Sequence, residues 1–144
     1  MKFEMGAIMK NMTLEHIAQA CGGTYIGEEC DREKEIQGAV IDSRLVEEGY
    51  LFIPIRGARV DGHDFIPAVF EKGALAVLSE QRLEHPAGPY ILVDSTEEAM
   101  KKIAAFYRRS LDIKVVGITG SVGKTSTKEM IASVLSEKYC VLKT

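Results

Sequence analysis

GITGSVGKTSTKEMI, residues 117–131, sets Gly117, Gly120, Gly123 and Lys124, with a run of hydroxyl side chains, between an apolar strand pattern and an amphipathic helix pattern. Upstream, KVVGITG (114–120) reads as a fully buried strand. Downstream, residues 124–138 read as a helix with Met130, Ile131, Val134 and Leu135 on one side. A strand feeding a glycine turn feeding a helix gathers backbone N–H groups at the positive end of a helix dipole, a place that suits a phosphate. Gly120 and Gly123 let the backbone close on the anion, and Ser121, Val122 and Ser126 complete the cradle. Lys124 reaches the outer phosphates, and the Thr125 hydroxyl stands where it would ligate the magnesium of a nucleoside triphosphate. The loop departs from the general G-x-x-x-x-G-K-S/T pattern, which wants glycine where this chain has Ile118, one residue after Gly117. A glycine turn of this kind can also bind nothing, but the strand before it, the helix after it and the flanking hydroxyls favour a triphosphate. The acceptor of the phosphoryl group stays open at this point: water, a sugar hydroxyl and a carboxylate all fit.

Working outward, 144 residues with 46% hydrophobic side chains suffice for a real core. A formal net charge of −3 argues against a surface built to neutralise nucleic-acid phosphates. Lys101-Lys102 and Arg108-Arg109 read instead as the solvated side of a helix. No apolar run approaches the roughly 18–20 residues that cross a bilayer, and MKFEMGAIMKN at the start lacks the long apolar centre and cleavage site of a signal peptide. The expectation is a cytoplasmic protein with neither nucleic acid nor membrane as partner. Cys21, Cys30 and Cys140 are spread out with no C-x-x-C pair, and are expected to be reduced and mostly core fillers.

Residues 1–11 have no clear period and are expected to be a tail outside the fold, which starts at Met12-Thr13. Thr13 can cap TLEHIAQACGG, where Leu14, Ile17, Ala18 and Cys21 fall at helical spacing and Gly22-Gly23 supplies the stop. Short strands are expected at 24–26, 36–41 and 51–55, with Pro54 weakening a central place for the last. Asp64 can cap a helix that tolerates Pro67 in its first turn and ends at Gly73. The apolar runs ALAVL (74–78) and YILV (90–93) read as strands. STEE (95–98) has the shape of a capping box before Ala99, Met100, Ile103, Ala104, Phe106 and Tyr107, a helix ending near Arg109. The fold class is therefore α/β, with a boundary near residue 111: a mixed α/β domain at 12–111, then the opening strand–loop–helix of a parallel-sheet domain at 112–144.

The run T-G-S-V-G-K-T-S-T-K-E-M-I, 119–131, resembles the ATP loop of the Mur ligases, ATP-dependent amide-forming enzymes of peptidoglycan synthesis in which the place of Ile118 need not be glycine. Within that family the wording is most similar to the members that add D-alanyl-D-alanine to UDP-N-acetylmuramoyl-tripeptide, whereas tripeptide-forming members tend to carry T-N-G-K-T-T. DSRLVEEGYLFIPIRG (42–57) and VDGHDFIPAVFEKGALAVL (60–78) resemble the N-terminal UDP-binding domain of the same enzymes. The resemblance implies that Ile41, Ser43 and Arg44, with Ala58, Arg59 and Val60, hold the uridine diphosphate end of the substrate. A serine hydroxyl and backbone amides can read a uracil edge, and an arginine can fork onto a phosphate. Taken without the family, Asp-Ser-Arg reads as a local turn with an ion pair. His63, in DGHDF, reads as a structural hydrogen-bonder and is assigned no catalysis; Asp42, Asp61 and Asp64 each sit beside a turn or cap.

The resemblance also implies the reaction: ATP phosphorylates the terminal carboxylate of the UDP-linked tripeptide, and the amine of D-alanyl-D-alanine displaces phosphate. Of the residues here, Lys124 and Thr125 would serve that step, with ATP and Mg2+ as cofactors. A truncated ATP-binding domain is expected at 112–144, leaving the chain inactive alone and inclined to self-associate. Three other readings stay open: a UDP-sugar-binding module without catalysis, the related tripeptide-forming ligase of the same family, and a small stand-alone kinase.

Overall fold

The computed structural model describes residues 9–143, which form two compact units, the first ending at Leu111 and the second beginning at Asp112. In the first, helix α1 (Leu14–Cys21) starts on Thr13, whose hydroxyl accepts the His16 N–H, and ends on Gly22 in the left-handed conformation. Strands β1 (Thr24–Ile26), β2 (Gly38–Val40) and β3 (Tyr50–Phe52) follow. Then come helix α2 (Ile66–Glu71), strands β4 (Ala76–Ser79) and β5 (Tyr90–Leu92), and helix α3 (Thr96–Ser110). Ser95 caps α3 as expected by accepting the Glu98 N–H, while the Glu98 carboxylate, which would complete a capping box, accepts from Lys101.

The five strands make one sheet in the order β1-β5-β4-β3-β2. β2 to β5 run parallel, and β1 closes one edge antiparallel to β5, pairing Tyr25 with Ile91. Pleating sends alternate side chains to opposite faces. Leu51, Ala76, Leu78 and Ile91 pack beneath α1 and α3 with Leu14, Ile17 and Ile103, while Phe52, Val77 and Tyr90 pack with Val46, Ile66 and Val69 on the other face. Burying each such Leu, Ile, Val or Phe contributes about 1.5–3 kcal/mol, so the two clusters hold both layers to the sheet. With helices over both faces, the central parallel strand β4 is buried along its whole length.

β3 takes an interior place in the sheet, between β4 and β2, because it ends before Pro54, and the strand around residues 36–41 is shorter than expected. The capping aspartate is Asp61, not Asp64: it accepts the His63 N–H ahead of a 3-10 turn at Gly62–Phe65 that leads into α2, and Asp64 is exposed. Of the cysteines, Cys21 alone fills the core; Cys30, in a 3-10 turn between Glu29 and Asp31, and Cys140 are exposed. Of the expected tail, residues 1–8 lie outside the described residues. Met9 to Asn11 belong to the fold: Met9 packs against the core, its carbonyl accepts the Met12 N–H, and the Asn11 N–H donates to Glu35.

In the second unit, α4 (Lys124–Ser136) forms as expected, but residues 114–118 are not a strand. A strand is made by hydrogen bonds to a neighbour, and among the described residues nothing pairs with this segment. Val115 and Val116 are exposed, as are Met130 and Val134 on the helix. Among the described residues, no helix is long and apolar enough to cross a membrane.

Candidate functional site

Parallel strands deliver their following loops to one edge of the sheet, which is where α/β proteins bind ligands. Here that edge carries residues 41–45 after β2, 53–65 after β3, Glu80 and Gln81 after β4, and 93–96 after β5. The two segments expected to hold a uridine diphosphate thus follow adjacent strands, joined just before they diverge by the Ile53 N–H donating to the Val40 carbonyl.

On the first segment, Ser43–Leu45 is a single 3-10 turn capped by Asp42, which accepts the Arg44 N–H at 2.9 Å. The Arg44 guanidinium closes on the same carboxylate, Nη2 to Oδ2 at 2.6 Å and Nε to Oδ1 at 2.9 Å. That side-chain fork and the backbone bond hold the Asp42 carboxyl down at about 2. The Ser43 carbonyl accepts from Lys72 at the end of α2. Ile41 and Arg44 are exposed, whereas Ser43 is half-buried.

The second segment is a narrow hairpin. Gly62 N–H donates to the Ile55 carbonyl, Arg56 bridges Asp61, and Gly57 N–H donates to the Val60 carbonyl. Gly62 is required at the base: a Cβ there would lie 2.8 Å from the Ile55 nitrogen. Ala58, Arg59 and Val60 form the exposed tip.

Beneath the tip lies a polar network. His63, 6% exposed, uses both ring nitrogens, Nδ1 on Asp61 Oδ1 at 2.6 Å and Nε2 accepting the Glu80 N–H at 3.2 Å. An acceptor at Nε2 places the proton on Nδ1. Glu80 accepts from the Thr96 N–H at 2.9 Å and the Thr96 hydroxyl at 3.1 Å. The Arg56 Nε sits between Asp61 Oδ2 at 3.2 Å and Glu80 Oε2 at 3.3 Å. Both carboxyls are held below their ordinary range, Asp61 chiefly by the His63 N–H and Glu80 chiefly by the Thr96 N–H. His63 is the structural hydrogen-bonder expected. Arg56, Glu80 and Thr96 are not legible as partners in the sequence, where the only signal is that Glu80 is the first charged residue after an apolar strand.

In the second unit the glycine loop 119–123 enters α4 through Gly123, in the left-handed conformation at φ +79°, with Gly120 at φ +150°; both are conformations that suit glycine. No side chain caps α4, so its first N–H groups stay open to an anion. Ser121, Val122, Lys124, Thr125 and Ser126 are exposed around them, and the Lys124 ammonium donates to the Gly120 carbonyl at 2.6 Å. A magnesium ion, which takes oxygen ligands and keeps several waters, fits the exposed Thr125 hydroxyl beside a phosphate.

The family model described as "Mur ligase family, catalytic domain" matches residues 35–108, more than half of the chain. The chain belongs to the Mur ligase family. The model of the Mur ligase middle domain matches 118–144, the stretch that holds the glycine loop. This Mur ligase chain is 40% identical over 138 residues to the UDP-N-acetylmuramoyl-tripeptide–D-alanyl-D-alanine ligase of Bacillus subtilis, a match covering 94% of the chain and 30% of that protein. It is 45% identical over 105 residues to the UDP-N-acetylmuramoyl-L-alanyl-D-glutamate–2,6-diaminopimelate ligase of Bacteroides thetaiotaomicron, covering 70% of the chain and 22% of that protein. Among solved structures it resembles the MurF ligase of Thermotoga maritima in complex with ADP, with a TM-score of 0.64 and 38% identity over 74% of this chain and 25% of that one. The chain thus spans under a third of the length of these Mur ligases.

Proposed function

We propose that this chain forms part of a cytoplasmic MurF-type ligase that uses ATP and Mg2+ to join D-alanyl-D-alanine to UDP-N-acetylmuramoyl-tripeptide. The first unit would hold the uridine diphosphate end of the tripeptide, through Ile41, Ser43, Arg44, Ala58, Arg59 and Val60; the second would hold the ATP phosphates. The observation that carries the reading is the uncapped start of α4 behind Gly123, with Lys124 beside it, since that arrangement is built for a polyphosphate. The loop N–H groups of 120–123 and of the first turn of α4 bind the phosphates, and the Lys124 ammonium turns from the Gly120 carbonyl to the outer ones. The Thr125 hydroxyl would hold a magnesium ion, which would supply charge neutralisation at the transferred group. A carboxylate oxygen of the tripeptide attacks the outermost phosphorus and ADP leaves; the amine of D-alanyl-D-alanine then attacks the acyl carbon and phosphate leaves. Neither nucleic acid nor membrane takes part.

One observation favours a second reading: the Bacteroides relative that adds diaminopimelate is as similar over the shared stretch as the tripeptide ligases. The deciding experiment is phosphate release by the full-length enzyme carrying this chain. Release that requires ATP, UDP-N-acetylmuramoyl-tripeptide and D-alanyl-D-alanine together supports the proposal. Release that requires the dipeptide precursor and diaminopimelate replaces it, and uridine nucleotide binding without release under either condition leaves a non-catalytic binding module.

A further inference from the structure

The hairpin 55–62 raises a mechanical question. Its tip, Ala58 to Val60, is exposed, and what fixes it is its neck: the Gly62–Ile55 bond, the Arg56–Asp61 bridge and the Gly57–Val60 bond. Two backbone bonds and one exposed ion pair are a weak clamp, since a solvated pair contributes about 0–1 kcal/mol. The neck is braced from elsewhere. Glu80, from the loop after β4, reaches Arg56 with one carboxylate oxygen and the start of α3 at Thr96 with the other. His63 links the neck to the same loop from below, with Nδ1 on Asp61 and Nε2 on the Glu80 backbone. Asp61, Arg56, Glu80 and His63 therefore close a ring, and Thr96 ties it to a helix whose start is anchored by the buried Thr96 and Ala99.

We infer that Glu80 and His63 are positioning residues that make the 57–60 tip a preformed recognition element for a uridine diphosphate rather than a loop ordered on binding. This rests on the placement of the uridine diphosphate proposed above. Neither side chain belongs to the tip; each acts through Arg56 and Asp61. A loop already ordered loses less conformational freedom when the ligand arrives, so bracing is read out as affinity. Glu80 is suited to the task because its backbone leaves a rigid buried strand, Ala76–Ser79, while its carboxylate spans two other loops. The charge matters as well as the reach: an amide at residue 80 can still accept from Thr96 but cannot neutralise Arg56.

The test uses the 144-residue chain, backbone-assigned by NMR, with uridine diphosphate as the probe. Wild type is compared with the nearly isosteric Glu80→Gln and, as a second variant, Arg56→Gln, which breaks the ring from the neck. Expected in both are lowered amide order at 57–60, uridine diphosphate affinity weaker by tenfold or more, and unchanged order at 43–45 and unchanged response of 120–126 to ATP. A merely structural role would lower order and melting temperature throughout the unit. Unaltered order at 57–60 in both variants overturns the inference whatever the binding result, and lowered order with unchanged affinity overturns the claim that bracing serves recognition. If wild type does not bind uridine diphosphate, the placement of the ligand fails, the recognition claim is overturned with it, and the order measurement still decides whether the ring braces the hairpin.

Discussion

Lys72 Nζ donates to the carbonyl oxygen of Ser43 at 2.7 Å, a bond between residues 29 apart that fastens the turn after β2 to the end of α2. The same turn carries Arg44 toward the edge where the loops gather. Replacing Lys72 with Met keeps the aliphatic stem and removes the donor. Because the bond is exposed, the loss of stability is expected to stay below about 1 kcal/mol. Uridine diphosphate affinity is expected to fall several-fold, measured by titration, as the turn loses its tether.

Asp42 gives a pH dependence with a defined sign. Its folded value of about 2 lies below the ordinary 3.8, so the unfolded chain binds its proton first. The stabilisation is therefore complete above roughly pH 4 and is lost as pH falls toward 2. Asp42→Asn is expected to melt at lower temperature than wild type at neutral pH, with the two curves converging near the acid end. Parallel curves down to pH 2 would show that the Arg44 pair contributes nothing.

Lys124 and Thr125 are, by the proposal, the residues here that serve phosphoryl transfer, and transfer depends on positioning by more groups than these. The 144-residue chain is expected to bind MgATP at 120–126 without turning it over, and Lys124→Ala is expected to weaken that binding by tenfold or more. Steady phosphate release by the purified chain, abolished in Lys124→Ala, would count against it.

Residues 114–118 lack a strand partner among the described residues, and Val115 and Val116 are 64% and 58% exposed. Their amides are expected to exchange within seconds at neutral pH, faster than those in the middle of α4. The exposed valines, with Met130 and Val134, favour self-association, which sedimentation would detect as mass rising with concentration.

Gly62→Ala places a Cβ 2.8 Å from the Ile55 nitrogen and 2.9 Å from its carbonyl oxygen, both backbone atoms that cannot swing aside. The expected loss is about 2 kcal/mol by denaturant unfolding, the scale of overpacking at a tight site. Gly22→Ala meets no neighbour, so its cost comes from the left-handed backbone alone and should be smaller.

What the sequence determined by itself is local. The helix at 14–21, with its Thr13 cap and Gly22 stop, needs nothing beyond spacing and capping chemistry, and neither does the Ser95 cap of α3 or the glycine loop ahead of α4. The α/β class follows, because apolar runs and amphipathic stretches alternate along the chain. What only tertiary structure decided is non-local. Strand order put β5 and β4 between β1 and β3, and so brought Arg56, Glu80 and Thr96, far apart in sequence, to one edge. No periodicity encodes that meeting, since each residue is simply the polar position after a strand. Residues 114–118 make the same point in reverse: Val115, Val116 and Ile118 have a strand's composition, yet a strand exists only through hydrogen bonds to a neighbour, and a sequence window contains no neighbour.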